Sequence, residues 1–187
     1  MRFKTFAAVI LAAPLCLVPS VRAENSLPLR GLIKIESPEP SAQSDWNEFL
    51  STSGRFAVSM PGQPKEEIAT ADDGSLDYSF SLRLPRGAYF IHYTDIPKAN
   101  EMESEKLQAL LDRVPADFVS GAQATLKEDP RNVEINGYPG KEFYFTLKTG
   151  LPGVGRVYMV QERLYLLLAM TNQSEDTQKF VNSFRLL

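Results

Sequence analysis

His92 and Cys16 are the only histidine and the only cysteine in this chain of 187 residues, and the chemistry they permit is narrow. A serine-hydrolase relay needs His92 beside an activated serine and an orienting acid, for which Asp95 is the near neighbour in sequence. No Gly-x-Ser-x-Gly elbow accompanies them, and Ser51-Thr52-Ser53-Gly54 has the composition of a loop. A histidine on a half-apolar strand is ordinarily a packed or surface residue, so His92 is read as non-catalytic. Zinc finds no His-x-x-x-His or Cys-x-x-Cys pair. Asp72, Asp73 and Asp77 gather around Gly74 without the ordered oxygen ligands and closing glutamate of a calcium loop; they read as a solvated hairpin tip. Gly150-Leu151-Pro152-Gly153-Val154-Gly155 has the glycine density of a phosphate cradle. Strands are expected on both sides of it, however, and Pro152 offers no amide donor, so the expectation is a flexible hairpin loop.

Carboxylate pairs that hydrolyse glycosides are identified by geometry rather than by spacing. Glu66 and Glu67, adjacent on an expected strand, point to opposite faces and do not make such a pair. The sequon Asn172-Gln173-Ser174 matters only on a eukaryotic secretory route. The sequence therefore predicts no catalytic, metal-binding or cofactor-binding residue and no cofactor. One string stands out for presentation rather than catalysis. In Asn136-Gly137-Tyr138-Pro139-Gly140, Asn-Gly is a strong hairpin signal and Pro-Gly sets a second bend. Tyr138 is thereby offered as an aromatic on a rigid turn, the one candidate interaction residue.

The elements that would position these residues follow from periodicity. Phe56, Val58 and Met60 alternate with Ala57 and Ser59 up to Pro61-Gly62. Lys65–Thr70 is a weaker strand. Leu76–Asp95 reads as a hairpin turning at Pro85-Arg86-Gly87, with proline presetting φ and glycine supplying φ > 0. Leu107, Leu110, Leu111, Val114 and Phe118 form a helical stripe that Pro115 should kink or split into two abutting helices. Strands resume at Val133–Ile135, Glu142–Lys148, Arg156–Val160 and Leu164–Thr171, the last pair turning at Gln161-Glu162. Asn172 and Glu175 have the spacing of a capping box for a closing helix that buries Phe180, Val181 and Phe184. Tyr89–Tyr93 and Leu164–Met170 are apolar on both faces, so they belong inside a sheet covered on both sides. The expected fold is an α/β/α sandwich with a largely antiparallel central sheet of about six to eight strands, one kinked or split helix after the first strands, and one C-terminal helix.

At 43% hydrophobic and 23% charged residues the chain is of ordinary globular composition. A net charge of −3 provides no basic field for nucleic acid or an anionic membrane surface. Arg2 and Lys4 precede an apolar run from Phe6 to Val18, shorter than the roughly 20 residues of a bilayer span. Val21-Arg22-Ala23 then fits the small-residue rule of signal peptidase. Residues 1–23 are accordingly expected to be a signal peptide cut between Ala23 and Glu24. Leu15 before Cys16 argues against a lipoprotein. Cleavage would remove Cys16, Arg2, Lys4 and Arg22, leaving 17 basic against 23 acidic residues, a charge of −6. Residues 24–45, rich in proline and serine with Leu32–Ile35 as one possible strand, are expected to be an irregular tail or linker. Residues 46–187 form a single domain. The expected product is an exported protein, periplasmic, lumenal or extracellular, with no stable membrane insertion after cleavage.

Three landmarks carry a family resemblance: Trp46 and Phe49 with Gly54-Arg55-Phe56-Ala57-Val58 and Pro61-Gly62-Gln63-Pro64; Asn136-Gly137-Tyr138-Pro139-Gly140-Lys141-Glu142; and Phe180-Val181-Asn182-Ser183-Phe184. Together they resemble small exported bacterial proteins of the PsbP-like α/β/α sandwich superfamily, which includes extrinsic lumenal subunits of photosystem II and the nuclear Ran nucleotide-release factor. The signature of true photosystem subunits is not evident, and a PsbP-type lipidation site is absent. The resemblance implies the fold, and it implies binding or assembly on a protein partner in the envelope or lumen rather than turnover. The alternative is a carboxylate-dependent hydrolase acting on an extracytoplasmic polymer.

Overall fold

The computed structural model describes residues 46–71 and 74–187. The expected signal peptide, the tail with its Leu32–Ile35 strand, and Asp72 and Asp73 lie outside the described residues. The strands are β1 (Asn47–Ser51), β2 (Phe56–Met60), β3 (Lys65–Thr70), β4 (Leu76–Leu84), β5 (Gly87–Asp95), β6 (Ala124–Leu126), β7 (Arg131–Ile135), β8 (Tyr138–Leu147), β9 (Pro152–Val160), β10 (Arg163–Thr171) and β11 (Arg185–Leu186). The helices are α1 (Ser104–Ala122) and α2 (Ser174–Ser183).

An eight-stranded sheet runs in the order β3-β4-β5-β10-β9-β8-β6, with β7 also paired to β8, and every pairing in it is antiparallel. The two strands that are apolar on both faces, β5 and β10, lie side by side at its centre. One face of the sheet packs Phe80, Ile91, Tyr93, Tyr165 and Leu167 against Phe180 and Val181 of α2 and against β2. The other face packs Phe143, Phe145, Leu164, Leu166 and Leu168 against Leu111, Val114 and Phe118 of α1. Alternation along one strand thus feeds two cores, and burying each large side chain contributes about 1.5–3 kcal/mol. The fold is the expected α/β/α sandwich.

Five local features refine or correct the expectations. First, β2 does not join the central sheet: with β1 and β11 it forms a separate three-stranded sheet that shares the α2 face. Second, of the kinked or split helix expected, α1 is the unsplit form, one continuous helix through the buried Pro115. Third, no capping box closes the start of α2, where no side chain caps the first turn. The Gln173 N–H donates to Thr171 Oγ1 at 3.1 Å, and Thr177 Oγ1 donates back to the Gln173 carbonyl at 3.2 Å.

Fourth, only Gly150 and Leu151 of the glycine-rich 150–155 segment lie in the β8–β9 hairpin loop, and the rest is strand. Gly153, Val154 and Gly155 are buried in β9, where Gly153 pairs with Phe145 and Gly155 with Phe143. A Cβ on Gly155 would meet the Phe143 ring at 2.1 Å, and one on Gly153 would meet Phe145 at 2.4 Å. Each glycine is the space that a cross-strand phenylalanine occupies. Fifth, Gly87 is not there for positive φ. It opens β5 opposite Thr171, and a Cβ on it would lie 2.5 Å from the Met170 carbonyl oxygen. Close strand approach, not turn chirality, demands glycine at that position.

Candidate functional site

The hairpin turns and chain crossings gather at the two ends of the sandwich, and the ends differ in chemistry. At one end, β10 begins with Arg163, which is only 8% exposed. Its Nε and Nη2 donate to the two carboxylate oxygens of Asp95 at 2.6 and 2.8 Å, its Nη1 donates to the Ser53 carbonyl at 2.8 Å, and the guanidinium lies 4.4 Å from the Tyr93 ring centre. This is a fork-to-fork ion pair completed by backbone and a π face, so the buried cation has partners on several sides. The Arg163 hydrogen bonds hold the Asp95 carboxyl below the usual carboxylate range.

The same group of residues fixes the turn between β1 and β2. Tyr165 Oη donates to the Gly54 carbonyl at 2.6 Å, and the Gly54 N–H donates to Ser51 Oγ at 3.0 Å. Gly54 has no room for a Cβ, which would sit 2.5 Å from the Phe56 ring. So held, Arg55 takes a left-handed conformation, φ 54°. Beside it are the tips of two hairpins, with Asn136 at φ 51° and Gln161 at φ 56°. These three residues, with Tyr138, Val160, Tyr165, Leu186 and Leu187, line a depression of about 230 Å³. Left-handed backbone costs side-chain-bearing residues about 1–3 kcal/mol and concentrates where a fixed shape is needed, although asparagine pays least.

Tyr138 is therefore located, with its setting changed. It opens β8 opposite Ile135 instead of riding on a second bend, and Pro139 and Gly140 continue the strand. Its side chain is half-buried against the depression. The Asn136-Gly137 hairpin forms as expected, with Gly137 at φ 81°. Arg163 and Arg55 were not legible as site residues, because their role depends on partners distant in sequence.

His92 stands away from this end, on the α1 face of β5, while strand alternation puts Asp95 on the opposite face. Burial drives its pKa down to about 4, so the ring is neutral at pH 7. Asp77 Oδ1 lies 3.5 Å from His92 Nε2, too long for a strong charge-assisted bond, and burial decides the protonation state. Ser79, the cross-strand neighbour of His92, directs its hydroxyl to the Glu67 carbonyl at 3.4 Å. Glu66 and Glu67 do face opposite sides of β3, opposite Phe80 and Ser79 of β4. Among the described residues no group of three or more His, Cys, Asp or Glu side chains could hold a metal ion. Among them, too, no helix is long and apolar enough to cross a membrane.

The other end holds the largest cavity described, a groove of about 670 Å³ between the β4–β5 turn and the β8–β9 loop. A smaller one of about 260 Å³, with Pro61, Tyr89 and Asp176 on its walls, lies on the other side of the same β4–β5 turn.

With this geometry in place, the fold can be compared with solved structures. The solution structure of cyanobacterial PsbP (CyanoP) from Synechocystis sp. PCC 6803 superposes with a TM-score of 0.51 at 13% identity, over 82% of this chain and 99% of that one. A Bacteroides thetaiotaomicron protein matches at a TM-score of 0.38 and 9% identity, over 75% of this chain and 48% of that one, too weakly to carry an argument. No family model matches the chain, and no curated protein does. The protein thus has the architecture of the PsbP-like α/β/α sandwich. It is similar to the cyanobacterial PsbP, and at that identity the likeness is one of fold.

Proposed function

We propose that the protein is an exported binding or assembly module with no catalytic centre of its own. It docks on a protein complex in the envelope or lumen through the end of the sandwich that carries Tyr138. The observation that carries this reading is the shaped depression beside Tyr138, where Arg55, Asn136 and Gln161 are all held at positive φ. A half-buried tyrosine with a guanidinium beside it combines two residue types enriched among interface hot spots. The resemblance to the PsbP-like fold supports binding over turnover. In the same reading residues 1–23 are removed as a signal peptide, residues 24–45 form the tail and 46–187 the domain.

The hydrolase alternative draws less support. The adjoining depression, about 430 Å³, is lined by two carboxylates, Asp95 and Glu162. Asp95 is taken up by Arg163, and Glu162 Oε1 accepts the Lys98 N–H at 2.7 Å.

The experiment is retention of native envelope proteins on the purified chain, followed by affinity measurement with the partner recovered. Tyr138→Ala should weaken binding by 2 kcal/mol or more, roughly thirtyfold, while His92→Ala leaves it nearly intact. A reproducible hydrolytic activity abolished by replacing one carboxylate, with the fold unchanged, would end the docking reading. Intact mass of the exported form should show the loss of Met1–Ala23; a lipid-sized addition at Cys16 contradicts it.

A further inference from the structure

The groove at the end remote from Tyr138 has a construction of its own. Helix α1 packs over β6, β8 and β9, leaving the β4–β5 end of the same face without a helix. The floor is the half-buried Ala88 with the buried Phe90 and Met170 beside it, and Leu147 and Leu151 form the far wall. Ala88 creates the depth: it stands between Arg83 on β4 and Met170 on β10, and its methyl group fills little of the width between them. The rim is cationic. Arg83 and Arg86 both line the groove. Its one carboxylate, Glu67, lies 2.7 Å from Lys65 Nζ. The exposed Arg86 thus stands beside the largest apolar recess among the described residues.

We propose that this groove binds an amphipathic monoanion, specifically a long-chain fatty-acid carboxylate. The alkyl chain lies over Ala88, Phe90 and Met170, and the head group is held by the guanidinium of Arg86 at the hairpin tip. Three features together favour this occupant. The volume is within the roughly 300–1,000 Å³ typical of small-molecule sites. The floor offers an acyl chain apolar contact and no hydrogen-bond requirement. Guanidinium is matched to a planar carboxylate by its two parallel donors. An alcohol or an alkane of the same length would use the floor and leave Arg86 unused. This site is independent of the docking end, and its test is independent too.

The test uses the full chain as exported and cis-parinaric acid, a long-chain carboxylate whose fluorescence rises in apolar surroundings. The expected result is saturable enhancement at one equivalent, reversed by palmitate and at least tenfold less effectively by hexadecanol. Arg86→Glu, an exposed turn substitution, should weaken binding at least tenfold with an unchanged denaturation midpoint. Ala88→Phe, which fills the floor, should weaken it comparably. Absence of enhancement overturns the proposal. So does equal displacement by palmitate and hexadecanol with Arg86→Glu unaffected, or undiminished binding to a folded Ala88→Phe protein. Enhancement that emerges only after Ile33→Asp would make the chain's own N-terminal segment the occupant, and would overturn it as well.

Discussion

The two ends of the sandwich solve opposite problems with the same strands. At the Arg163 end, polar groups are buried and answered: one guanidinium takes Asp95, Ser53 and the Tyr93 face, and the turns around it are locked into left-handed conformations. At the Arg86 end, the half-buried Ala88 sits in an apolar groove with the exposed Arg86 on its rim. The first end holds a fixed shape at a cost in stability if any member is lost. The second keeps a recess that little else in the fold depends on. A rigid surface suits recognition of another folded protein, whereas an open apolar recess suits a flexible ligand.

Breaking this contrast should be easiest at the buried cation. Asp95→Asn leaves the buried Arg163 guanidinium with a weakened partner. Asp95 itself is 56% exposed and screened by solvent, so the cost should be about 2–3 kcal/mol, read as a lowered urea midpoint. An unchanged midpoint would mean that the polar end is not a stability element.

The next effect concerns pH. His92 has a folded pKa of about 4, below the unfolded value near 6.5, so the unfolded state binds the proton first as pH falls. The stability due to the neutral ring is fully present above about pH 6.5. It is lost progressively down to about pH 4, for a total of up to ~3 kcal/mol. His92→Gln should show a flatter loss of melting temperature over that window, and parallel curves for the two proteins would refute the assignment.

Smaller still is the hairpin tip. Gly137→Val should cost about 1–3 kcal/mol through backbone strain alone, since a Cβ there meets nothing within 4 Å. A denaturation midpoint equal to the parent's would remove the turn argument. The smallest effect is expected at the open end, where Arg86→Glu should change stability by less than about 0.5 kcal/mol. A large loss there would erase the distinction between the ends.

Much of the architecture was legible because it rests on local pattern. β5 and β10 announced their central position by being apolar on both faces, and Phe180 with Val181 announced the buried side of α2. What pattern could not give was partnership. β2 alternates as cleanly as β4, and nothing local says that its neighbours are β1 and β11 rather than the central sheet. Gly153 and Gly155 looked like loop residues because the phenylalanines that require them lie on another strand. The matching two-residue spacing of Phe143 and Phe145 was the available signal. Of the candidate site, Tyr138 could be nominated from its Asn-Gly turn. Arg163 could not, since its worth comes from Asp95 and Ser53, far away in the chain.

The small sheet has a consequence for the order in which the molecule is made. β11 pairs with β2, the Leu187 N–H donates to the Arg55 carbonyl at 3.0 Å, and the Phe184 ring lies 5.4 Å from that of Phe56. The segment that fixes Arg55 is thus closed by residues synthesised well over a hundred positions later. Contacts between such distant segments form late and slowly. A chain emerging N-terminus first, from a ribosome or from a channel, holds the β1–β2 hairpin without its third strand until Arg185–Leu187 is free. That end is therefore completed only after residues 185–187 have emerged, and a shorter nascent chain cannot yet present it.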